Sequence, residues 1–165
     1  MSATSETRGG TFAVRLVMPD RWLEQVAEFA PSTSVADAKA EGLRLLLRRD
    51  VDEPDDYYEL ANVILMDELQ EHSIIPEWDV DWVMFTLAED TCIGIRTFIN
   101  GSGDTIIALF DQYGVPYSPI ASDDDSGGGL SSLITADLPA GTYWVAVWAF
   151  GNYQEIPAYY LWLYE

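Results

Sequence analysis

The chain has 165 residues, 48% of them hydrophobic, enough for one ordinary domain plus a small appendage, and its formal charge at pH 7 is −20. No run approaches the roughly 20 apolar residues of a membrane-spanning helix, and a surface this acidic repels phosphate backbones while attracting cations or basic partners. The charge is unevenly divided. Residues 1–50 hold seven of the eight basic residues and seven acids, whereas residues 51–165 hold 21 acids and Arg96 alone. That places a domain boundary near residue 50. One Lys among 28 acids would also suit a high-salt cytoplasm.

The first ten residues are polar and read as a disordered N-terminus. They lack the apolar stretch of a secretory signal, so a cytoplasmic location is expected. Thr11–Met18 then alternates, with Phe12, Val14, Leu16 and Met18 on one face and Thr11, Ala13 and Arg15 on the other, a strand pattern. Pro19-Asp20 is read as opening a helix that carries Trp22, Leu23, Val26, Ala27 and Phe29. After Pro31-Ser-Thr, Ser34 suits the N-cap of a second helix with Val35, Ala38, Leu43, Leu46 and Leu47. Arg48 and Arg49 suit its C-terminal end.

This strand-helix-helix order over residues 11–49 resembles the ribbon-helix-helix family. The matching residues are Phe12-Ala-Val-Arg-Leu, Met18-Pro-Asp-Arg-Trp-Leu and Ser34-Val-Ala-Asp-Ala. The resemblance implies that two chains pair their strands and interlock their helices. Some 40 residues bury too little surface alone, so Phe12, Val14, Leu16, Trp22 and Leu46 are dimerisation candidates, in a homodimer or a hetero-oligomer. Family members usually bind DNA through outward ribbon positions, which would be Thr11, Ala13 and Arg15. Only Arg15 among them makes a strong base contact, and a segment without net positive charge lacks phosphate affinity. Dimerisation or docking is therefore favoured, with a DNA-binding regulator carrying a β-sandwich sensor as the alternative.

Residues 52–165 read as short strands over Trp82–Leu87, Ile93–Ile99, Thr105–Asp111, Tyr143–Phe150 and Tyr159–Tyr164, separated by Gly-rich turns. This spacing indicates an antiparallel β-sandwich, so the chain as a whole is expected to be mainly β. Asn62–Leu69 is ambiguous between strand and helix. The lone Cys92 excludes an internal disulfide and is read as a buried small hydrophobe rather than a nucleophile. His72 is the only histidine, so neither a His-based triad nor a multi-His metal site can form within one chain. Gly101-Ser102-Gly103 reads as a hairpin turn rather than a nucleophile elbow, since no helix pattern follows. Asp123-Asp-Asp-Ser-Gly-Gly-Gly lacks the alternating acids and closing Glu of an EF-hand, and reads as a tight loop whose carboxylates bond backbone amides. No catalytic constellation emerges, and a non-enzyme is expected.

Several collinear segments are similar to the bacterial pre-peptidase C-terminal domain family, to which collagenase collagen-binding domains are related. They are Asp52-Glu-Pro-Asp-Asp-Tyr-Tyr-Glu-Leu-Ala-Asn, Asp79-Val-Asp-Trp-Val-Met-Phe, Gly103-Asp-Thr-Ile-Ile-Ala-Leu-Phe-Asp, Asp123-Asp-Asp-Ser-Gly-Gly-Gly-Leu-Ser-Ser-Leu-Ile and Leu138-Pro-Ala-Gly-Thr-Tyr-Trp-Val-Ala-Val. Tyr159-Tyr-Leu-Trp-Leu closes the series. The resemblance implies a jelly-roll β-sandwich attached to secreted hydrolases, doing no chemistry itself. That sits awkwardly with a cytoplasmic location. It also implies calcium where the acidic lead-in meets the first strand, with Glu53, Asp55, Asp56, Asp79 and Asp81 as candidate ligands and the Tyr159 region nearby. Carboxylates at this density suit a hard cation taking six to eight oxygens.

The departures from that family concern aromatic residues. Tyr143, Val145 and Val147 keep the core face, leaving Trp144, Ala146, Trp148 and Phe150 outward. Tyr159, Leu161 and Leu163 likewise point in, leaving Tyr160, Trp162 and Tyr164 outward, and Met84 replaces a usually polar residue. Outward indoles mark contact surfaces, covered either by the N-terminal helices of the same chain or, the favoured reading, by an external partner. The expected function is a non-enzymatic adaptor or accessory subunit docking onto a larger protein assembly through one exposed aromatic face, reaching a membrane surface only by way of a partner. A carbohydrate- or collagen-type binding module is the second alternative.

Overall fold

The chain divides into two compact units, Met1–Arg48 and Arg49–Glu165, each described by itself. The computed structural model describes the backbone of residues 2–8, 11–18 and 21–29, and both backbone and side chains of residues 52–99 and 101–165.

In the first unit, β1 (Ser2–Arg8), β2 (Thr11–Met18) and β3 (Arg21–Phe29) form an antiparallel sheet in the order β1-β2-β3. Two expectations are corrected. Ser2–Arg8 is a strand rather than a disordered end, paired from Ser2 opposite Val17 to Arg8 opposite Thr11. Arg21–Phe29 is a strand paired to β2 rather than a helix. A nine-residue stretch is too short for a helix to hold by itself, and an adjacent strand supplies hydrogen-bond partners along its length. The ribbon-helix-helix resemblance fails with it, because a strand has two hydrogen-bonding edges and β1 and β3 occupy both edges of β2. No edge of β2 is left for a ribbon with a second chain. Phe12, Val14, Leu16 and the DNA-contact candidates Thr11, Ala13 and Arg15 all lie on β2, and Trp22 lies on β3. Leu46 and the second expected helix fall outside the described residues.

The second unit is a β-sandwich. One sheet has four strands in the order β10 (Leu133–Leu138), β7 (Thr91–Ile99), β12 (Ile156–Tyr164), β5 (Leu69–Ile74). The other has five, ordered β4 (Asn62–Val63), β6 (Val80–Leu87), β11 (Gly141–Ala149), β8 (Thr105–Asp111), β9 (Ala121–Asp123). Pairing is antiparallel except between β4 and β6. The core gathers the inward parity of the longer strands, including Val83, Phe85 and Leu87 of β6, Tyr143, Val145 and Val147 of β11, and Tyr159, Leu161 and Leu163 of β12. Alternation places these residues on one face, and their burial provides most of the driving force. The ambiguous stretch resolves as the two-residue β4, a turn, and the start of β5.

Two polar features cross this apolar interior. Thr97 of β7, Thr105 of β8 and Ser132 are fully buried, and their hydroxyls bond one another at 2.7 Å (Thr97–Thr105) and 3.1 Å (Thr105–Ser132). The Ser132 amide also donates to Thr97 Oγ1 at 2.8 Å, so the trio links the two sheets with its polar atoms satisfied. Farther along, the buried His72 ring stacks on Tyr159 at 5.5 Å, and the Tyr159 hydroxyl donates to Asp81 Oδ2 at 2.6 Å. A second, smaller apolar cluster lies on the outer face of the five-stranded sheet. There Trp82, Ala108, Phe110 and Ala146 are buried, with Tyr58, Val115, Trp144 and Trp148 packed around them.

Candidate functional site

The acidic lead-in runs over the start of β6, where the Trp82 amide donates to the Asp55 carbonyl at 3.1 Å. That crossing brings residues 53–56 beside Asp79. Carboxylate oxygens of Glu53, Asp56 and Asp79 lie within 4.8 Å of one another. Glu53, Asp55, Asp79 and Asp81 are all at least 95% buried, and Asp56 is half-buried. Each of the four buried acids also holds a local group. Asp79 Oδ2 accepts the Ile75 amide at 2.8 Å, Asp55 Oδ2 accepts from Asn62 Nδ2 at 3.3 Å, Glu53 Oε2 accepts the Asp55 amide at 3.4 Å, and Asp81 accepts from Tyr159. Glu53, Asp56 and Asp79 thus converge as hard oxygen donors. Arg96, the sole Arg or Lys of residues 51–165, is engaged elsewhere, its guanidinium 4.6 Å above the Phe98 ring and bonded to the Gly127 carbonyl.

The aromatic candidates do not form one face. Strands β11 and β12 belong to different sheets, so their outward side chains point to opposite sides of the sandwich. Trp144, cross-strand from Met84, and Trp148 lie over the small outer cluster of the five-stranded sheet. Phe150 is exposed in the 3-10 turn Phe150–Asn152 that follows β11. Tyr160, Trp162 and Tyr164 lie on the outer face of the four-stranded sheet, opposite Phe98, Arg96 and Gly94 of β7. There Tyr160 and Trp162 join Leu69 and Phe98 in lining a shallow apolar cleft of about 380 Å³. Trp162 stacks on Tyr164 at 4.3 Å. Tyr164 in turn lies over Gly94, where a Cβ would come within 2.2 Å of the ring. Phe98 is not evident from sequence because Thr97, not Phe98, points into the core, an inversion of the usual polarity, and Leu69 ends the ambiguous Asn62–Leu69 stretch. Strict alternation from Ile93 and Ile95 would have placed Phe98 outward.

Cys92 is exposed rather than buried. Its thiol is held above its ordinary pKa, first by a hydrogen bond to Asp137, then by the charge of that carboxylate and by slight desolvation. The nucleophilic thiolate is therefore disfavoured.

In the loop after β9, Asp123 Oδ2 accepts the amides of Ser126 at 3.0 Å and Leu133 at 2.8 Å, as the loop reading expected. Burial pushes Asp123 up, but the hydrogen bonds from Ser126, Leu133 and Asp124 together outweigh it and leave the carboxyl below its ordinary value. Its neighbours move oppositely. Burial raises Asp104, reinforced by the charges of Asp124 and Asp125, and burial raises Asp124, reinforced by Asp125 and Asp123. A depressed carboxyl stabilises the fold above its unfolded pKa, and that contribution is lost as pH falls through the folded value; a raised carboxyl stabilises at low pH and loses that as pH rises. Asp123→Asn should therefore lower the melting temperature at neutral pH, and Asp124→Asn should raise it. Both differences should vanish in acid. Thermal melts from acid to neutral pH check this, and shifts of the same sign would contradict the assignment.

The fold and its sites thus define a mainly β sandwich with an acidic, oxygen-rich cluster and an apolar cleft on one sheet. No known family model matches the chain, and no curated protein matches it. Among solved structures it is similar to the pre-peptidase C-terminal domain of a collagenase from Bacillus anthracis, with 18% identity, a TM-score of 0.54, and coverage of 62% of this chain and 93% of that one. At this identity the likeness is one of fold. A looser likeness, with 16% identity, a TM-score of 0.44 and the same coverage of each chain, is to PliG of Aeromonas hydrophila, a periplasmic lysozyme inhibitor of g-type lysozyme. It is too loose to carry an argument. Among the described residues, no helix is long and apolar enough to cross a membrane.

Proposed function

We propose that this protein is a non-enzymatic binding subunit that docks a protein partner on the outer face of its four-stranded sheet. The carrying observation is the cleft of Leu69, Phe98, Tyr160 and Trp162, an apolar recess on a chain with a net charge of −20. Clustered aromatic rings at a recess are the usual anchors of an interface. Calcium fits the acidic cluster by donor chemistry. Glu53, Asp56 and Asp79 would hold it through one carboxylate oxygen each, the hard donors such an ion prefers. The ion would serve the fold rather than a reaction, tying the lead-in segment to the start of β6.

The docking reading is tested by comparing proteins retained from native lysate on the immobilised chain and on its Trp162→Ala variant. A partner seated in the cleft should be lost, with affinity weakened more than tenfold, as expected for an anchor worth about 2 kcal/mol or more. Trp148→Ala, on the opposite sheet, should still retain it. Equal retention by wild type and Trp162→Ala would sink the reading.

A further inference from the structure

Two exposed rings stand apart from the cleft, on the connections between β5 and β6 and between β11 and β12. Trp78 is 58% exposed and Tyr153 is 72% exposed, and their centroids lie 4.9 Å apart with the planes at 79°. The Trp78 backbone is unusual. It occupies a turn closed by the Asp79 amide on the Pro76 carbonyl at 3.2 Å, with φ at +73°. That is a left-handed position where Gly or Asn is normally found. A bulky aromatic there works against the local backbone, and its exposure means that core packing does not repay the strain. Strain retained at an exposed site points to function.

The surroundings specify the chemistry. Glu77, exposed, precedes Trp78, and Glu155, half-buried, follows two residues after Tyr153. Residues 51–165 carry 21 acids against Arg96, which is held over Phe98 on the outer face of the four-stranded sheet. A corner of two electron-rich faces in an acidic field attracts a cation lying within about 6 Å of a ring centroid, and the net charge would steer it there. An anion is repelled. We infer that the Trp78–Tyr153 corner receives an arginine or lysine side chain presented by a protein partner. The assignment does not depend on the cleft, and the two are tested at different residues.

The probe is a capped tri-arginine peptide, titrated in chelator at physiological salt into the full chain and followed by NMR. The Trp78 indole N–H is identified by its disappearance in Trp78→Gly. The indole N–H and the Tyr153 amide should shift saturably. Trp78→Gly should weaken binding at least tenfold while leaving the melting temperature unchanged or higher, since glycine relieves the left-handed residue. Tyr153→Ala should weaken binding with the Trp78 turn intact, and Tyr117→Ala, an exposed ring elsewhere, should bind as wild type. Three results would overturn the assignment. One is shifts spread over the acidic surface with undiminished binding by Trp78→Gly, which means charge attraction alone. Another is a response of these resonances to cellotriose but not to tri-arginine, which means a sugar platform. The last is unfolding of both Trp78→Gly and Tyr153→Ala, which means a structural clamp between the two connections.

Discussion

Leu161→Ala should destabilise the sandwich by about 2–5 kcal/mol, while Trp162→Ala, one residue along the same strand, should cost about 1 kcal/mol. Leu161 is 1% exposed in the core between the sheets. Its truncation forfeits transfer free energy and leaves a cavity that β12, held by β5 on one side and β7 on the other, cannot collapse to fill. Trp162 lies on the outer face of the same sheet, half-buried against Tyr164 and Phe98. Water replaces its ring, so stacking and part of its apolar burial are lost but no cavity is left. Urea unfolding of the full chain, followed by near-ultraviolet circular dichroism, should give a much lower midpoint for Leu161→Ala than for Trp162→Ala. Equal losses would mean that the strand faces are wrongly assigned, and the docking reading would fall with them.

Calcium should raise stability by about 2.7 kcal/mol when free ion reaches a hundredfold excess over its dissociation constant. Asp56→Asn should abolish that response with little disturbance of the fold, because Asp56 is half-buried and removes one converging ligand. Asp79→Asn should also abolish it. In chelator, with no ion to hold, Asp56→Asn should melt close to the wild type, because the half-buried side chain keeps its size. Differential scanning calorimetry with and without millimolar calcium measures both effects. A wild-type melting temperature indifferent to calcium would remove the metal from the proposal while leaving the cleft untouched.

Much of the second unit was legible because burial of one sheet face imposes a period of two. Tyr143, Val145 and Val147, like Tyr159, Leu161 and Leu163, announce their inward parity without any knowledge of neighbours. Strand β5 escaped notice for the opposite reason, since buried His72 and Ser73 interrupt its apolar pattern. Tertiary contacts, the Tyr159 ring among them, make those polar residues acceptable inside. The acidic residues of the metal candidate were visible as a composition, but Glu53 and Asp79 are 26 positions apart in the chain. Their convergence depends on the lead-in crossing the start of β6.

The failures share one cause. Residues 21–29 fit helical spacing loosely, and pairing with β2 decided their state instead. The outward rings of β11 and β12 were each identifiable from alternation, yet alternation says nothing about which strands share a sheet. The topology sends β11 to one sheet and β12 to the other, dividing one expected face into two and assembling the cleft from Leu69, Phe98, Tyr160 and Trp162 on three different strands. The sequence by itself determined the fold class, the domain-scale charge asymmetry and the inward parity of the principal strands, because these follow from local periodicity and composition. Only the tertiary structure decided sheet membership and the neighbours of each outward side chain, because strand order is set by long-range pairing that no local pattern encodes.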